Sequence, residues 1–125
     1  MLFYQLKISP TSTKNISDLQ MILNDLMLNT KINESSRLAR FVHRGLIKEL
    51  RKRYKRIKNR GVRQAPFYVL IGAEMPAILV EVGYITNSIE NRRLYSETYL
   101  KRVASGIVKG IDLYIKDMEL AYKGG

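Results

Sequence analysis

Glu81 is the residue whose type and position first suggest chemistry. It lies inside the apolar stretch MPAILVEVGYITN, residues 75–87, which otherwise has the character of a buried strand. An ionised carboxylate is costly to bury unless it is paired, protonated or bound to a metal. Because side chains alternate along a strand, Glu81 is expected at the strand's exit, just before Gly83. Ligands of open α/β sheets bind beyond such strand ends, although an ion pair with an arginine or contact with water would also explain the residue.

His43 is the single histidine of the chain, and there is no cysteine. No acidic residue or second histidine stands near it at a metal-binding spacing such as His-Glu-x-x-His. A Gly-rich phosphate loop and a Gly-x-Ser-x-Gly motif are also missing from the sequence. We therefore expect a structural or partly exposed role for His43, and no self-contained catalytic constellation is visible in the sequence.

The charge distribution suggests an anionic partner. The net charge is +11, and the stretch from Arg44 to Arg63 contains ten Lys or Arg residues and a single acid, Glu49. This region could bind an anionic polymer, because clustered cations release counterions from polyanions. A solvated helix face running into a basic loop is the alternative. Tyr54 is the one aromatic residue inside the stretch, so the support for stacking on nucleic-acid bases is thin.

The elements that must position these residues follow from the hydrophobic periodicity. Two apolar runs predict strands that pair antiparallel, and Glu81 lies near the end of the second. LFYQL, residues 2–6, is compatible with a short strand, and Asn87 with Glu90 forms a helix-capping pattern. The predicted helices are residues 17–30, residues 35–54 and a long helix from residue 97 onward, with a break or kink at 30–33. The predicted strands are residues 66–72 and 77–82, and a loop covers residues 9–15.

These elements predict a single α/β domain over residues 1–125, with a short sheet packed by three main helices. No apolar run approaches the roughly 20 residues of a membrane-spanning helix. The first residues, MLFYQLKISPTSTKN, lack the features of a secretory signal peptide. The sheet is thin for three substantial helices, which suggests that further strands are missing.

Three segments together resemble a known family. RGVRQAPFYVL (60–70), MPAILVEVGYITN (75–87) and SSRLA (35–39) are similar, in order and spacing, to the carboxyl-terminal portion of zinc-dependent N-acetylmuramoyl-L-alanine amidases of the amidase-3 type. NSIENRRLYSETYLKRVASGIVKGI resembles the last two helices of that family. The resemblance extends over about residues 16–115.

The resemblance implies a peptidoglycan hydrolase of the periplasm or cell wall. Such an enzyme cleaves the amide between N-acetylmuramic acid and L-alanine with a zinc-activated water, and a glutamate at the position of Glu81 assists that water. Zinc lowers the pKa of its bound water, and a nearby carboxylate can carry the proton. Gln64, in the segment VRQAPF, is a candidate for contact with the substrate.

The resemblance also implies that the zinc ligands are absent from this chain. In the family they lie in the amino-terminal half, whose histidine segments have no counterpart here. We therefore expect part of an amidase domain, with a short mixed sheet and its amino-terminal strands missing, that is inactive alone. The alternatives are a non-catalytic basic module for acidic cell-wall polymer and, with less support, a nucleic-acid-binding domain.

Overall fold

A computed structural model describes the backbone of residues 2–5 and both backbone and side chains of residues 17–124. Helices and strands alternate, in agreement with the predicted α/β class. The loop predicted at residues 9–15 lies outside the described residues. In chain order the elements are β1 (Leu2–Gln5), α1 (Asp18–Arg51), β2 (Val62–Ala65), a 3₁₀ turn (Tyr68–Leu70), β3 (Ile78–Val80), α2 (Ser88–Leu94) and α3 (Glu97–Lys123).

Helix α1 is continuous, so the predicted break at residues 30–33 is wrong. The helix has 34 residues and is about 51 Å long at 1.5 Å per residue. Ser17 caps its start by accepting a hydrogen bond from the backbone N–H of Gln20 at 3.3 Å. The Thr30 hydroxyl donates to the carbonyl of Leu26 at 2.9 Å, within the preceding turn. With its hydroxyl satisfied in this way, and with no Gly or Pro nearby, Thr30 does not interrupt the helix.

The sheet has the strand order β2-β1-β3, in which β1 runs parallel to β2 and antiparallel to β3. The sequence interpretation of β2 and β3 as a directly paired antiparallel hairpin is therefore wrong. The backbone of β1 lies between them and pairs with both, Leu2 with Val62 on one side and with Val80 on the other. A four-residue connection could not have allowed this arrangement, and residues 66–77 form a much longer one.

The strand predicted at residues 66–72 is also wrong. The strand lies earlier, at Val62–Ala65, and Tyr68–Leu70 form a 3₁₀ turn. Pro66 has no N–H to donate to a ladder, so a strand that precedes it ends there. The second predicted strand, residues 77–82, is found as the shorter β3.

The core lies between α1 and α3. The backbones of these helices approach each other closely at Gly45, Gly106 and Gly110. Val42 and Ala39 are fully buried on α1, and the sheet packs against the same cluster through Val80. A Cβ built on Gly110 would be 2.5 Å from Cα of Val42, so the helices could not cross here with a larger residue. The buried face of α3 consists of Tyr99, Val103, Gly106, Gly110 and Tyr114.

The start and length of α3 agree with the sequence prediction, but its predicted apolar face is shifted. The helical spacing of the apolar residues predicts one face made of Leu100, Val103, Ala104, Ile107, Ile111, Tyr114 and Met118. Two of these residues, Leu100 and Ile111, are exposed. The buried face of α3 includes two glycines, Gly106 and Gly110. A hydrophobic pattern does not detect them, because glycine has no apolar side chain. Among the helices of residues 17–124, none is long and apolar enough to cross a membrane.

Candidate active site

Glu81 follows the last residue of β3, as the sequence predicts. Because β3 runs against β1, this edge of the sheet carries the amino ends of β1 and β2, where Leu2 and Val62 align with Val80. The rule that parallel strands present their carboxyl ends together therefore does not apply to this site. What places Glu81 beside other functional groups is instead the loop that leads into β2.

A cavity of about 60 Å³ lies at this edge, and Glu81 lines it. The Oε2 atom of Glu81 is buried. Helices α1 and α3 form the apolar wall, and the loop before β2 and helix α2 supply charged groups. The charged lining comprises four cations and two carboxylates, namely Arg56, Lys58, Arg60, Arg93, Glu81 and Glu90.

Arg60 and Glu90 form a two-point ion pair across this cavity. Nη2 of Arg60 donates to Oε2 of Glu90 at 3.0 Å, and Nη1 donates to Oε1. This hydrogen bonding raises the pKa of Arg60, and it lowers the pKa of Glu90 below its ordinary value. The Arg60 guanidinium also lies 4.3 Å from the ring centroid of Tyr84. The charge of Glu81 acts on Arg60 as well, so the guanidinium is a fixed positive group in the field of the candidate catalytic carboxylate.

Helix α2 orients Glu90. Asn87 caps it, because its Oδ1 accepts hydrogen bonds from the backbone N–H groups of Ile89 at 3.0 Å and Glu90 at 3.1 Å. The predicted cap is thus confirmed, while the Glu90 side chain pairs with Arg60. Sequence reasoning missed this pair because the two residues are 30 positions apart, and no local pattern links them.

Arg93, also on α2, is held by several groups at once. It donates to the carbonyl oxygen of Lys55. Its guanidinium lies 5.4 Å from the ring centroid of Tyr54 and 5.8 Å from that of Tyr99. Burial raises the pKa of the Tyr99 hydroxyl, so this phenol remains neutral near neutral pH. Arg93 therefore fixes the basic loop against α2 and α3.

His43 lies on α1 beside the same cavity, with a structural contact. Its Nε2 is 2.6 Å from Oδ1 of Asn59, which also accepts a hydrogen bond from the backbone N–H of Gly61 at 3.0 Å. An amide oxygen only accepts, so Nε2 carries the hydrogen and cannot ligate a metal in this arrangement.

The described residues do not provide a site for the zinc ion that the resemblance implies. Within residues 17–124, no three His, Asp or Glu side chains come together as a group that could hold a metal ion. Zinc sites in enzymes use three protein ligands and one open position. The described residues therefore supply no zinc centre.

Gln64 lies on β2 and is exposed. In the register it lies level with Tyr4 and Ile78, at the far end of β3 from Glu81. Three residues of strand separate the two levels, or about 10 Å at 3.3 Å per residue. The structure thus does not bring Gln64 and Glu81 together, and a substrate contact by Gln64 stays a prediction that requires a ligand spanning this distance.

The basic stretch Arg44–Arg63 is divided between the end of α1 and the loop before β2. Several of its cations have intramolecular partners: Arg44 lies 5.2 Å from the ring centroid of Phe41, and Lys52 bonds Glu49 at 3.1 Å. Glu49 is buried and also contacts Arg102 and Lys109 of α3. The part that follows α1, residues 52–63, comprises the loop and the start of β2 and has seven cations and no acid.

Comparison with known proteins agrees with the sequence resemblance. A family model described as N-acetylmuramoyl-L-alanine amidase (Amidase_3) matches residues 3–113. The uncharacterized protein YqiI of Bacillus subtilis is 41% identical over 80 residues, which is 64% of this chain and 36% of that protein. The N-acetylmuramoyl-L-alanine amidase AmiA of Escherichia coli is 31% identical over 96 residues, 77% of this chain and 32% of that protein. AmiC of Neisseria meningitidis, also named as this amidase, is 31% identical over 106 residues, 85% of this chain and 24% of that protein.

The α/β fold with a carboxylate at a strand end and a cationic rim is compatible with a hydrolase domain. The family match, which covers most of the chain, is specific: the chain belongs to the N-acetylmuramoyl-L-alanine amidase family. The predicted family is thereby confirmed, and the match begins earlier than the resemblance proposed from residue 16 onward. The chain spans about a third of the length of YqiI and AmiA.

Proposed function

We propose that this chain forms part of a peptidoglycan hydrolase that cleaves the amide between N-acetylmuramic acid and L-alanine. Membership of the amidase family supports the reaction class. The observation that carries the proposal is the position of Glu81, which follows β3 and lines a cavity with a buried carboxylate oxygen and a surplus of cations. The family assignment also favours action in the periplasm or cell wall.

Glu81 acts as the proton carrier in this proposal. Hydrolysis joins a water oxygen to the amide carbonyl carbon and breaks the carbon–nitrogen bond. The Glu81 carboxylate takes a proton from the attacking water and delivers it to the departing nitrogen of L-alanine. Arg60, held by its ion pair with Glu90, supplies a positive charge that interacts with the charge of Glu81. Gln64 remains a candidate for contact with a more distant part of the substrate.

The metal that the family uses requires ligands from outside the described residues. We propose that this chain corresponds to the carboxyl-terminal portion of the amidase domain and that the strands and zinc ligands of the other portion are not part of it. By itself the chain should then bind zinc weakly and release no stem peptide from peptidoglycan. Release of stem peptides by the purified chain in the presence of zinc would contradict this expectation.

A chimera tests the proposal directly. The 96-residue segment of Escherichia coli AmiA that aligns with this chain is replaced by the matching residues of this chain, and release of dye from labelled sacculi is measured. The chimera should hydrolyse sacculi, and Glu81→Gln should lower its rate by about 10²-fold or more, in the range of general acid–base contributions.

The matched control is Glu74→Gln, since Glu74 is an exposed acid in the connection that precedes β3. This change should leave the rate of the chimera unaltered. A folded chimera that hydrolyses sacculi equally well with Glu81→Gln would overturn the role of Glu81. A folded chimera without any hydrolysis would overturn the proposed function.

The second candidate is a non-catalytic module that binds acidic cell-wall polymer. It is favoured by the seven cations without an acid at residues 52–63. Here Glu81→Gln would leave binding untouched, whereas charge reversal at Arg51 and Arg53 would weaken it in a salt-dependent way. Tighter binding of duplex DNA than of the acidic polymer would instead favour the nucleic-acid alternative.

A further inference from the structure

The loop between α1 and β2 holds one residue in an unusual backbone conformation. Arg56 has a φ of 59°, the one non-glycine residue with a positive φ among those described. This left-handed region costs an ordinary side chain free energy that glycine does not spend. Strained residues of this kind cluster at functional sites, where the strain is retained because it positions a side chain. The retention of arginine at this position therefore calls for a functional reason.

The position of Arg56 suggests that reason. Arg56 is exposed, yet it lines the cavity that contains Glu81. Lys58, two residues further along the loop, lines the same cavity and is also exposed. The two cations therefore face the same small space as the candidate catalytic carboxylate, and solvent reaches both of them.

The other two cations of the cavity are already engaged. Arg60 is held in the ion pair with Glu90, and Arg93 donates to the carbonyl oxygen of Lys55. Within residues 17–124, Arg56 and Lys58 take part in neither of these two contacts, and both side chains are exposed. The charge of Lys58 does reach Glu90, since it helps to lower the pKa of that carboxyl. Arg56 and Lys58 thus remain available for an anion that enters from solvent.

We propose that Arg56 and Lys58 bind a carboxylate of the stem peptide and thereby select substrates with a free acid close to the cleaved bond. This inference rests on the proposed amidase function, because that function places the substrate at Glu81. The leaving group of the reaction is a peptide, so its first carboxylate lies only a few bonds from the amide. Arginine and lysine both form charge-assisted hydrogen bonds with carboxylates.

The size of the cavity favours a carboxylate over a polymeric anion. About 60 Å³ is room for one small group with a water molecule. The opposite wall includes the apolar side chains of Leu46, Leu50 and Val103, which carry no charge that could pair with an anion. A single peptide carboxylate that enters the cavity from solvent can contact Arg56 and Lys58 on the charged side of the cavity.

A pair of ligands that differ in one group tests the proposal on the full chain. The diacid is N-acetylmuramoyl-L-alanyl-D-glutamic acid, and its partner is N-acetylmuramoyl-L-alanyl-D-isoglutamine, in which the α-carboxylate is an amide. Both are titrated into the isotopically labelled chain, and NMR shifts of the loop amides report binding. The diacid should bind roughly three- to tenfold more tightly, as expected for one partly exposed charged contact.

Substitutions locate the effect. Arg56→Gln and Lys58→Gln should each remove most of the preference for the diacid. The matched control is Arg53→Gln, which removes an exposed arginine from the same loop that does not line the cavity. This control should keep the preference. Equal affinity for the two ligands, or an equal loss with Arg53→Gln, would overturn the proposal and indicate general charge attraction.

Arg56→Gly separates binding from folding. Glycine adopts a φ of 59° without strain, so this variant should melt at a higher temperature than the natural chain while it loses the preference for the diacid. Arg56→Lys should retain part of the preference. A variant with glycine that binds the diacid as tightly as the natural chain would refute the role of the Arg56 side chain.

The outcome is separable from that of the proposed function. Binding of the two ligands requires no hydrolysis, and the AmiA chimera measures hydrolysis by itself. A chimera that cleaves sacculi with no selectivity between free and amidated peptides would overturn the carboxylate site and leave the amidase function standing. A retained preference in the chain, together with an inactive folded chimera, would support the binding site and refute the hydrolase.

Discussion

Gly110→Ala is the change with the clearest expected effect on stability. A Cβ at this position would lie 2.5 Å from Cα of Val42, 2.8 Å from the carbonyl oxygen of Phe41 and 3.0 Å from the Val42 nitrogen. All three are backbone atoms, so no side-chain rotation relieves the contact. An ordinary contact begins near 3.4 Å, and α1 and α3 must therefore separate locally by about 0.9 Å.

The magnitude is the balance of two opposing terms. Alanine is a better helix former than glycine by about 1 kcal/mol, which favours the variant. Overpacking of a close contact costs about 1–3 kcal/mol. Because the new Cβ would contact backbone atoms, the cost is expected at or above the top of that range. We therefore expect a net loss of about 2 kcal/mol in the free energy of unfolding. For a chain of this size that corresponds to a decrease of roughly 6–10 °C in melting temperature.

Urea unfolding followed by circular dichroism measures this loss. The matched control is Ala104→Gly, the reverse change at an exposed position of α3. It should lower the free energy of unfolding by about 1 kcal/mol through helix propensity alone. If Gly110→Ala instead stabilises the chain by as much as Ala104→Gly destabilises it, propensity decides the outcome and the close approach of the helices is refuted.

Two further predictions concern buried polar groups of α1. The pKa of Glu49 is lowered from 4.5 to about 2, and the largest cause is the hydrogen bond from Lys109 of α3. The carboxylate therefore contributes stability above pH 4.5 that is lost as the pH falls towards 2. Glu49→Gln should flatten this part of the profile of unfolding free energy against pH. An unchanged profile would contradict this role of Glu49. Ser35 is fully buried, and its Oγ accepts a hydrogen bond from the backbone N–H of Ala77 at 2.9 Å. Ser35→Ala should therefore lower the free energy of unfolding in urea by about 1–3 kcal/mol, whereas Ser36→Ala should lower it little. Equal losses for the two serines would refute this account.

Local patterns predicted the helical elements better than the sheet. The cap at Asn87 and the long helix from Glu97 are found as expected, because capping and helical periodicity depend on residues close in sequence. The pairing of β2 and β3 was predicted incorrectly, because it depends on β1 from the other end of the described chain. The break near Thr30 was also predicted incorrectly, since its hydroxyl bonds within the helix.

The candidate site shows the same division. Glu81 could be recognised from the sequence, because a carboxylate inside an apolar strand carries its own energetic signal. The ion pair between Arg60 and Glu90 carried no such signal, because basic residues near Arg60 are numerous and only the fold selects one of them. The available cations of the cavity, Arg56 and Lys58, could be distinguished from their neighbours only by position and backbone conformation.

The sequence by itself determined the family, the strand end that carries Glu81 and the net positive charge. Each of these is a property of residue type and of spacing along the chain. The tertiary structure decided which face of α3 is buried, because Gly106 and Gly110 allow a backbone contact that no hydrophobic pattern records. It also decided which of the many cations line the cavity beside Glu81, because that depends on distances in space.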